Sequence, residues 1–145
     1  EAGCPAVADP GANLVALAQM EGIRVVPLIG PSSLLLALMA SGLNGQRFAF
    51  QGYLPAKEAE RTKSLRDLES ESRKRAQTQL FIETPYRNRA MFDAILAACQ
   101  PGTRLTVATD LTLPGESIRT LTIQQWKKQT PPDIERRPTV FLLLA

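Results

Sequence analysis

Apolar and polar residues alternate with two different periods along this chain, and the switches between them mark out the elements. Residues 9–22 carry Leu14, Val15, Leu17, Ala18 and Met20 at helical spacing, with Asp9 placed to cap, Pro10 suited to the first turn and Gly22 to stop the helix. Residues 23–29 are apolar almost throughout and predict a buried strand, in which Pro27 points to an edge or a bulge. Residues 31–41 are apolar on nearly every side, which predicts a helix sandwiched between layers or domains and ended by Gly42.

After Leu43-Asn44-Gly45 the character changes, and a domain boundary is expected near residue 43. Phe48 and Phe50 share one face at period two, so residues 47–53 predict a strand closed by Leu54-Pro55. Residues 57–75 predict a long charged helix with Leu65 and Leu68 as its main apolar contacts and the pairs Glu69/Arg73 and Glu71/Arg75 one turn apart. A strand over 78–83 leads through Thr84-Pro85 to a helix over 86–99, packed through Ala90, Met91, Ile95 and Leu96. Strands follow over 104–109 and 117–121, hairpin-like around Leu113-Pro114-Gly115. Thr122 and Gln125 form a capping-box pattern before Trp126, and the continuous apolar run 139–144 predicts a central strand. The class is α/β, with a mixed sheet flanked by helices.

Composition adds bounds. With 145 residues, 44% hydrophobic and 21% charged, the chain can bury a real core as an ordinary globular protein. A net charge of +3 with scattered positive residues permits an anionic partner without requiring one. The two cysteines, Cys4 and Cys99, have no C-x-x-C spacing and the chain has no histidine, so neither a zinc site nor Ser-His-Asp chemistry is expected and no metal is assigned. No apolar run approaches the ~18 residues of a membrane span, and a soluble, cytoplasmic protein without membrane contact is expected. The chain opens without Met in a Gly/Pro-rich turn, which predicts a fragment whose N-terminal part is missing.

Two turns carry candidate chemistry. Gly30-Pro31-Ser32-Ser33 separates two apolar runs, and its free amides and hydroxyls can face a polar group. Asp9-Pro10-Gly11 is a second turn of that kind, and two so close in one chain suggest one ligand site. Each is also accounted for as a helix cap, Asp9 and the two serines included. Glu83 and Arg87, four apart at a strand-to-helix turn, either bind each other or order a cleft in which Arg87 meets an anionic substrate group. The basic residues of 57–75, Lys57 and Arg61 among them, either grip phosphates or form a solvated face.

Several stretches then resemble a known family. Gly3-Cys4-Pro5-Ala6-Val7-Ala8-Asp9-Pro10-Gly11 resembles the Gly-x-Pro-x-x-x-Asp-Pro-Gly signature of the tetrapyrrole methylase superfamily, and residues 26–33 resemble its Pro-Gly-Pro-Ser type turn. Gly52-Tyr53-Leu54-Pro55-Ala56-Lys57 with Arg61, and Phe81-Ile82-Glu83-Thr84-Pro85-Tyr86-Arg87, are similar to the Gly-Phe-Leu-Pro-x-Lys and Phe-Tyr-Glu-Ser-x-His-Arg segments of the RsmI branch. That branch methylates a ribose 2′-hydroxyl of small-subunit ribosomal RNA with S-adenosylmethionine. Tyr86 departs from the branch's His, and Asp110 to Glu116 follows its Glu-Leu-Thr-Lys segment only loosely.

The resemblance implies two α/β domains, of which residues 1–42 are the tail of the first and 43–145 the second, usually in a homodimer. It implies an S-adenosylmethionine site at Gly3, Pro5, Asp9, Pro10, Gly11, Gly30, Pro31, Ser32, Ser33, Ile82, Glu83, Leu111, Pro138 and Thr139, with Arg87, Lys57 and Arg61 as substrate-binding candidates. A half-cleft alone is expected to be inactive, and no catalytic base is assigned. Alternatives are a methylase of a tetrapyrrole or another small molecule, and a non-catalytic binding or dimerisation module of the same fold.

Overall fold

A computed structural model describes residues 4–145. A five-stranded sheet of order β1-β2-β5-β3-β4 organises it. The strands are β1 (Phe48–Tyr53), β2 (Thr78–Ile82), β3 (Arg104–Thr109), β4 (Ser117–Thr122) and β5 (Thr139–Leu144). β1 runs parallel to β2, and every other pairing is antiparallel, β3 and β4 forming the expected hairpin. The sheet is mixed, as expected, and β5 at its centre is buried along its whole length. Its continuous apolar run is what a strand covered on both faces requires.

Period-two alternation assigns the two faces. Phe81, Phe141, Leu143, Leu105 and Val107 point to one side and form the larger core with residues of α3 (Glu58–Arg75), α4 (Asn88–Ala98) and α5 (Ile123–Trp126). Phe81 and Phe141 stack at 5.8 Å across β2 and β5, Phe92 meets Trp126 edge-on at 5.4 Å, and the Trp126 indole donates to the Leu105 carbonyl at 2.9 Å. The opposite side carries Leu80, Leu142, Val140 and Ala108, covered by α2 (Ser33–Ser41) through Leu34, Ala37 and Leu38. The Thr122/Gln125 capping box forms as its spacing predicts.

Five expectations need correction. Residues 23–29 form no strand, and Ile23, Val26, Leu28 and Ile29 are exposed. A strand is completed only by a neighbour's hydrogen bonds, and among the described residues no strand pairs with this segment. The helix expected over 31–41 begins at Ser33 and is covered on one side only, since Leu35 and Met39 face outward. The helix α1 (Gly11–Met20) has Pro10, not Asp9, at its cap and buries none of its residues. The helix expected from residue 86 is a 3₁₀ turn, Pro85–Arg87, closed by the Arg87 amide donating to the Thr84 carbonyl at 2.8 Å, followed by α4.

Glu69 pairs with Arg73 at 3.9 Å as its spacing predicts, but on a helix expected to present a solvated face it is only 4% exposed. Its carboxylate accepts the Gln100 amide at 2.7 Å and the Thr103 hydroxyl, pinning α3 to the loop after α4. The Glu71–Arg75 pair forms at 2.6 Å as expected.

Candidate ligand cleft at one end of the sheet

β2 and β3 end, and β5 begins, at the same edge of the sheet, because both pair with β5 in the antiparallel sense. A cleft of about 420 Å³ opens there on the α2 side. Ile82, Ala108 and Val140 form its floor as one row across the three strands. Glu83, Asp110, Leu111, Pro138 and Thr139 supply the strand-end wall. Ser33, the last residue of one turn singled out in the sequence, enters from α2, and Ala8, the residue just ahead of the other, enters from the N-terminal loop.

The N-terminal loop is held by its own carboxylate. Asp9 Oδ1 accepts the Gly11 amide at 2.8 Å and the Ala6 amide at 3.2 Å. These two bonds, the Gly11 amide first, hold the Asp9 carboxyl below the usual carboxylate range. Ala6 and Ala8 adopt positive φ, 66° and 54°, which turns Ala8 onto the cleft. A Cβ on Gly11 would lie 2.7 Å from Asp9 Oδ1, so glycine is needed there for the close approach. Asp9 thus shapes the loop rather than lining the cavity.

At the second turn, Gly30 and Pro31 are exposed, whereas Ser32 is buried as the N-cap of α2 without a side-chain capping bond. Ser33 beside it faces the cleft. The first-turn amides of α2 therefore lack a serine cap, and a ligand oxygen near Ser33 would find donors.

Glu83 is nearly inaccessible. Its Oε1 accepts the Thr84 amide at 2.7 Å and the Arg87 guanidinium at 2.8 and 3.1 Å, so the pairing of these two side chains is present. Glu83 Oε2 is buried with no partner, and so is Asn88 Oδ1 at the start of α4. Asn88 Nδ2 donates to the Ile134 and Arg137 carbonyls, tying α4 to the segment before β5.

The loop after β3 has Asp110 and Thr112 at φ 50° and 69°. Arg137 bridges Asp110 at 2.7 Å, Asp133 at 2.9 Å and the Gly115 carbonyl at 2.9 Å. The Asp110 hydrogen bond is the main reason that the Arg137 guanidinium holds its proton more tightly than usual. This clamp sets the loop carrying Leu111 and Leu113 against the cleft.

Of the expected site residues, Ser33, Ile82, Glu83, Leu111, Pro138 and Thr139 line the cleft. Pro5, Asp9, Pro10 and Gly11 form the loop behind Ala8, and Gly3 lies outside the described residues. Gly30, Pro31 and Ser32 precede Ser33 without lining the cavity. Arg87 stacks over the Tyr86 ring at 5.5 Å, beside Pro85 of the rim. Lys57 pairs with Glu60 at 3.4 Å, Arg61 donates to the Ala56 carbonyl, and neither reaches the cleft. Sequence reasoning missed Ala8, Tyr53, Pro85, Ala108, Asp110, Leu113 and Val140 as lining residues. Ala8 and Tyr53 lay inside quoted motifs, so their signal was present.

Burial, with the Glu69 carboxylate nearby, pushes the Cys99 thiol up to about 12, which makes it a packing residue and no nucleophile. Among the described residues no group of three or more His, Cys, Asp or Glu side chains is placed to hold a metal ion. No described helix is long and apolar enough to cross a membrane.

Comparison with known proteins gives the cleft its context. No family model matches the chain. The ribosomal RNA small subunit methyltransferase I of Escherichia coli O157:H7 is 34% identical over 145 residues, all of this chain and 49% of that protein. The protein of the same name from Mesorhizobium japonicum is 39% identical over 124 residues, 86% of this chain and 41% of its own length. The chain thus spans about half the length of the curated relatives it matches. Among solved structures, the methyltransferase CobJ superposes with a TM-score of 0.63 at 20% identity, over 98% of this chain and 61% of its own. The uroporphyrin-III C-methyltransferase from Thermus thermophilus, complexed with S-adenosylhomocysteine, gives 0.53 at 18% identity, over 98% of this chain and 62% of its own. These two likenesses speak for the fold alone. Along its whole length this chain is therefore similar in sequence to the small-subunit ribosomal RNA methyltransferase I proteins, and it shares its fold with the solved methyltransferases.

Proposed function

We propose that the protein containing this chain is an S-adenosylmethionine-dependent methyltransferase that methylates a ribose 2′-hydroxyl of small-subunit ribosomal RNA. The observation that carries this reading is the convergence of Ala8, Ser33, Ile82, Glu83, Leu111 and Thr139 on one cavity. At about 420 Å³ it falls in the roughly 300–1,000 Å³ range of small-molecule sites. Its donor set suits the cofactor: first-turn amides of α2 beside Ser33, and strand-end backbone at Ile82–Glu83 and Pro138–Thr139 against which an adenine can lie. S-adenosylmethionine supplies an already activated methyl group on a sulfonium. What remains for the protein is to hold donor and acceptor in line and keep water out.

The loops at 3–11 and 30–33 then cradle the methionine and ribose parts. Arg87, held by Glu83 at the rim, meets an acceptor phosphate, and Lys57 and Arg61 extend that contact along α3. Residues 1–42 belong to a first domain and 43–145 to a second. The exposed apolar side chains Leu17, Met20, Leu28 and Met39 support a covering partner surface. The protein acts in the cytoplasm as a homodimer, and residues 1–145 alone show no methyl transfer.

Titrating the protein that contains this chain with S-adenosylhomocysteine tests the cleft: binding heat is expected, and its absence favours a non-catalytic module. Methyl transfer to small-subunit ribosomal RNA, read as an alkali-resistant ribose linkage, tests the acceptor. Transfer to a porphyrinoid in its place would move the assignment to the small-molecule methylases.

A further inference from the structure

We propose that Tyr53 is a stacking platform at the mouth of the cleft, on which the flat heteroaromatic base of a bound nucleotide rests. The proposal deepens the methyltransferase reading above and rests on it for the identity of the nucleotide. It begins with an irregularity in β1. Phe48, Ala49 and Phe50 pair in step with Thr78, Gln79 and Leu80, but Tyr53 pairs with Ile82, so β1 holds one residue more than β2 over this stretch. Side chains alternate along a strand, and without the extra residue Tyr53 would face opposite to Phe50, toward α3 and α4. The bulge turns it back to the side of Phe50 and Ile82, the side of the cleft.

Gly52 makes the bulge with φ of 66°. Nothing lies within 4 Å of a Cβ built there, so backbone conformation and not space calls for glycine. Leu54, buried at 8%, anchors the strand immediately beyond. The ring so placed is 59% exposed and is the only aromatic side chain on the cleft wall among the described residues. Pro85, Leu111 and Leu113 add apolar surface to the same cavity. An exposed tyrosine on the wall of a cavity with apolar surface fits a planar, weakly polar group, and in a nucleotide that group is the base.

The base has two sources, the adenine of the cofactor and the nucleotide that accepts the methyl group, and the experiment separates them. In the protein containing this chain, the Tyr53 ring resonance is followed by NMR with ¹³C-labelled tyrosine, assigned as the signal that disappears in Tyr53→Phe. S-adenosylhomocysteine and a short single-stranded RNA are added separately. Upfield movement of the Tyr53 ring is expected with at least one of them. Tyr53→Ala should weaken that ligand roughly tenfold or more, while Tyr53→Phe keeps affinity within about twofold. Gly52→Ala, which strains the bulge, should reduce the shift. A response to S-adenosylhomocysteine identifies the adenine, and a response to RNA alone identifies the acceptor base. No ring shift with either ligand, or full affinity for both in Tyr53→Ala, overturns the platform even if the protein methylates RNA. A ring shift in a protein without methyl transfer overturns the enzymatic reading and leaves the platform standing.

Discussion

The two faces of the sheet are covered unequally. On the side of Phe81 and Phe141, three helices close a core in which Trp126, Phe92, Leu65 and Ile95 are at most 1% exposed. On the side of Leu80 and Leu142 there is α2, whose own outer residues Leu35 and Met39 face solvent. The segment leading to it, α1 and residues 23–29, is as apolar in sequence yet exposes Leu14, Met20, Leu28 and Ile29. Hydrophobicity of a segment therefore states a demand for burial, and packing partners decide whether it is met. The closed face holds the fold together, and the open face holds the cleft.

Substitutions that divide the two faces put this contrast at risk. Phe141→Ala removes a fully buried ring stacked on Phe81 and should cost about 3–5 kcal/mol in denaturant unfolding of the 145-residue chain. A cost below that of an exposed-arm variant would refute the assignment of the core to that face. Glu69→Ala strips the shared acceptor from the part-buried Gln100 amide and the buried Thr103 hydroxyl, with an expected loss of about 1–3 kcal/mol by the same measurement. Thr122→Ala breaks the capping box ahead of Trp126 and should cost about 1 kcal/mol.

On the other side of the comparison, Leu28→Ser should leave unfolding of the chain within about 0.5 kcal/mol, since Leu28 is 88% exposed. A larger loss would show that residues 23–29 are packed in solution. The smallest effect is local and depends on pH. The Asp9 carboxyl is held below its ordinary value of 3.8 by the Gly11 and Ala6 amides. A lowered folded-state value contributes order that is present above the ordinary value and lost as pH falls through the folded one. The Gly11 and Ala6 amide signals should therefore titrate with a midpoint under 3.8, and in Asp9→Asn that titration should vanish.

Much of the molecule was legible because local pattern and tertiary role agree in it. Phe48 and Phe50, the run at 139–144 and the Thr122/Gln125 spacing each found the expected element. Residues 23–29 misled for the reason that makes strands hard to read: their hydrogen bonds belong to a neighbour the segment does not contain. Helical spacing showed the Glu69 pair with Arg73 one turn away, but it cannot show that Glu69 is buried by Gln100 and Thr103 arriving from another element. At the cleft, the Gly-Pro turns and the Glu83/Arg87 pair could be read from motifs. Tyr53 lies in such a motif too, but its side of the sheet could not be read there, since it depends on one extra residue in β1.

By itself the sequence determined most of the alternation of helices and strands, the capping box and the resemblance to known methyltransferases, because each of these is written within a few neighbouring residues. Only the tertiary structure decided which apolar runs are covered, which carboxylate is buried, and that Ala8, Ser33, Tyr53 and Thr139 border a single cavity. Those facts depend on strand register and on contacts between residues far apart along the chain, where a shift of one position carries every side chain to the other face.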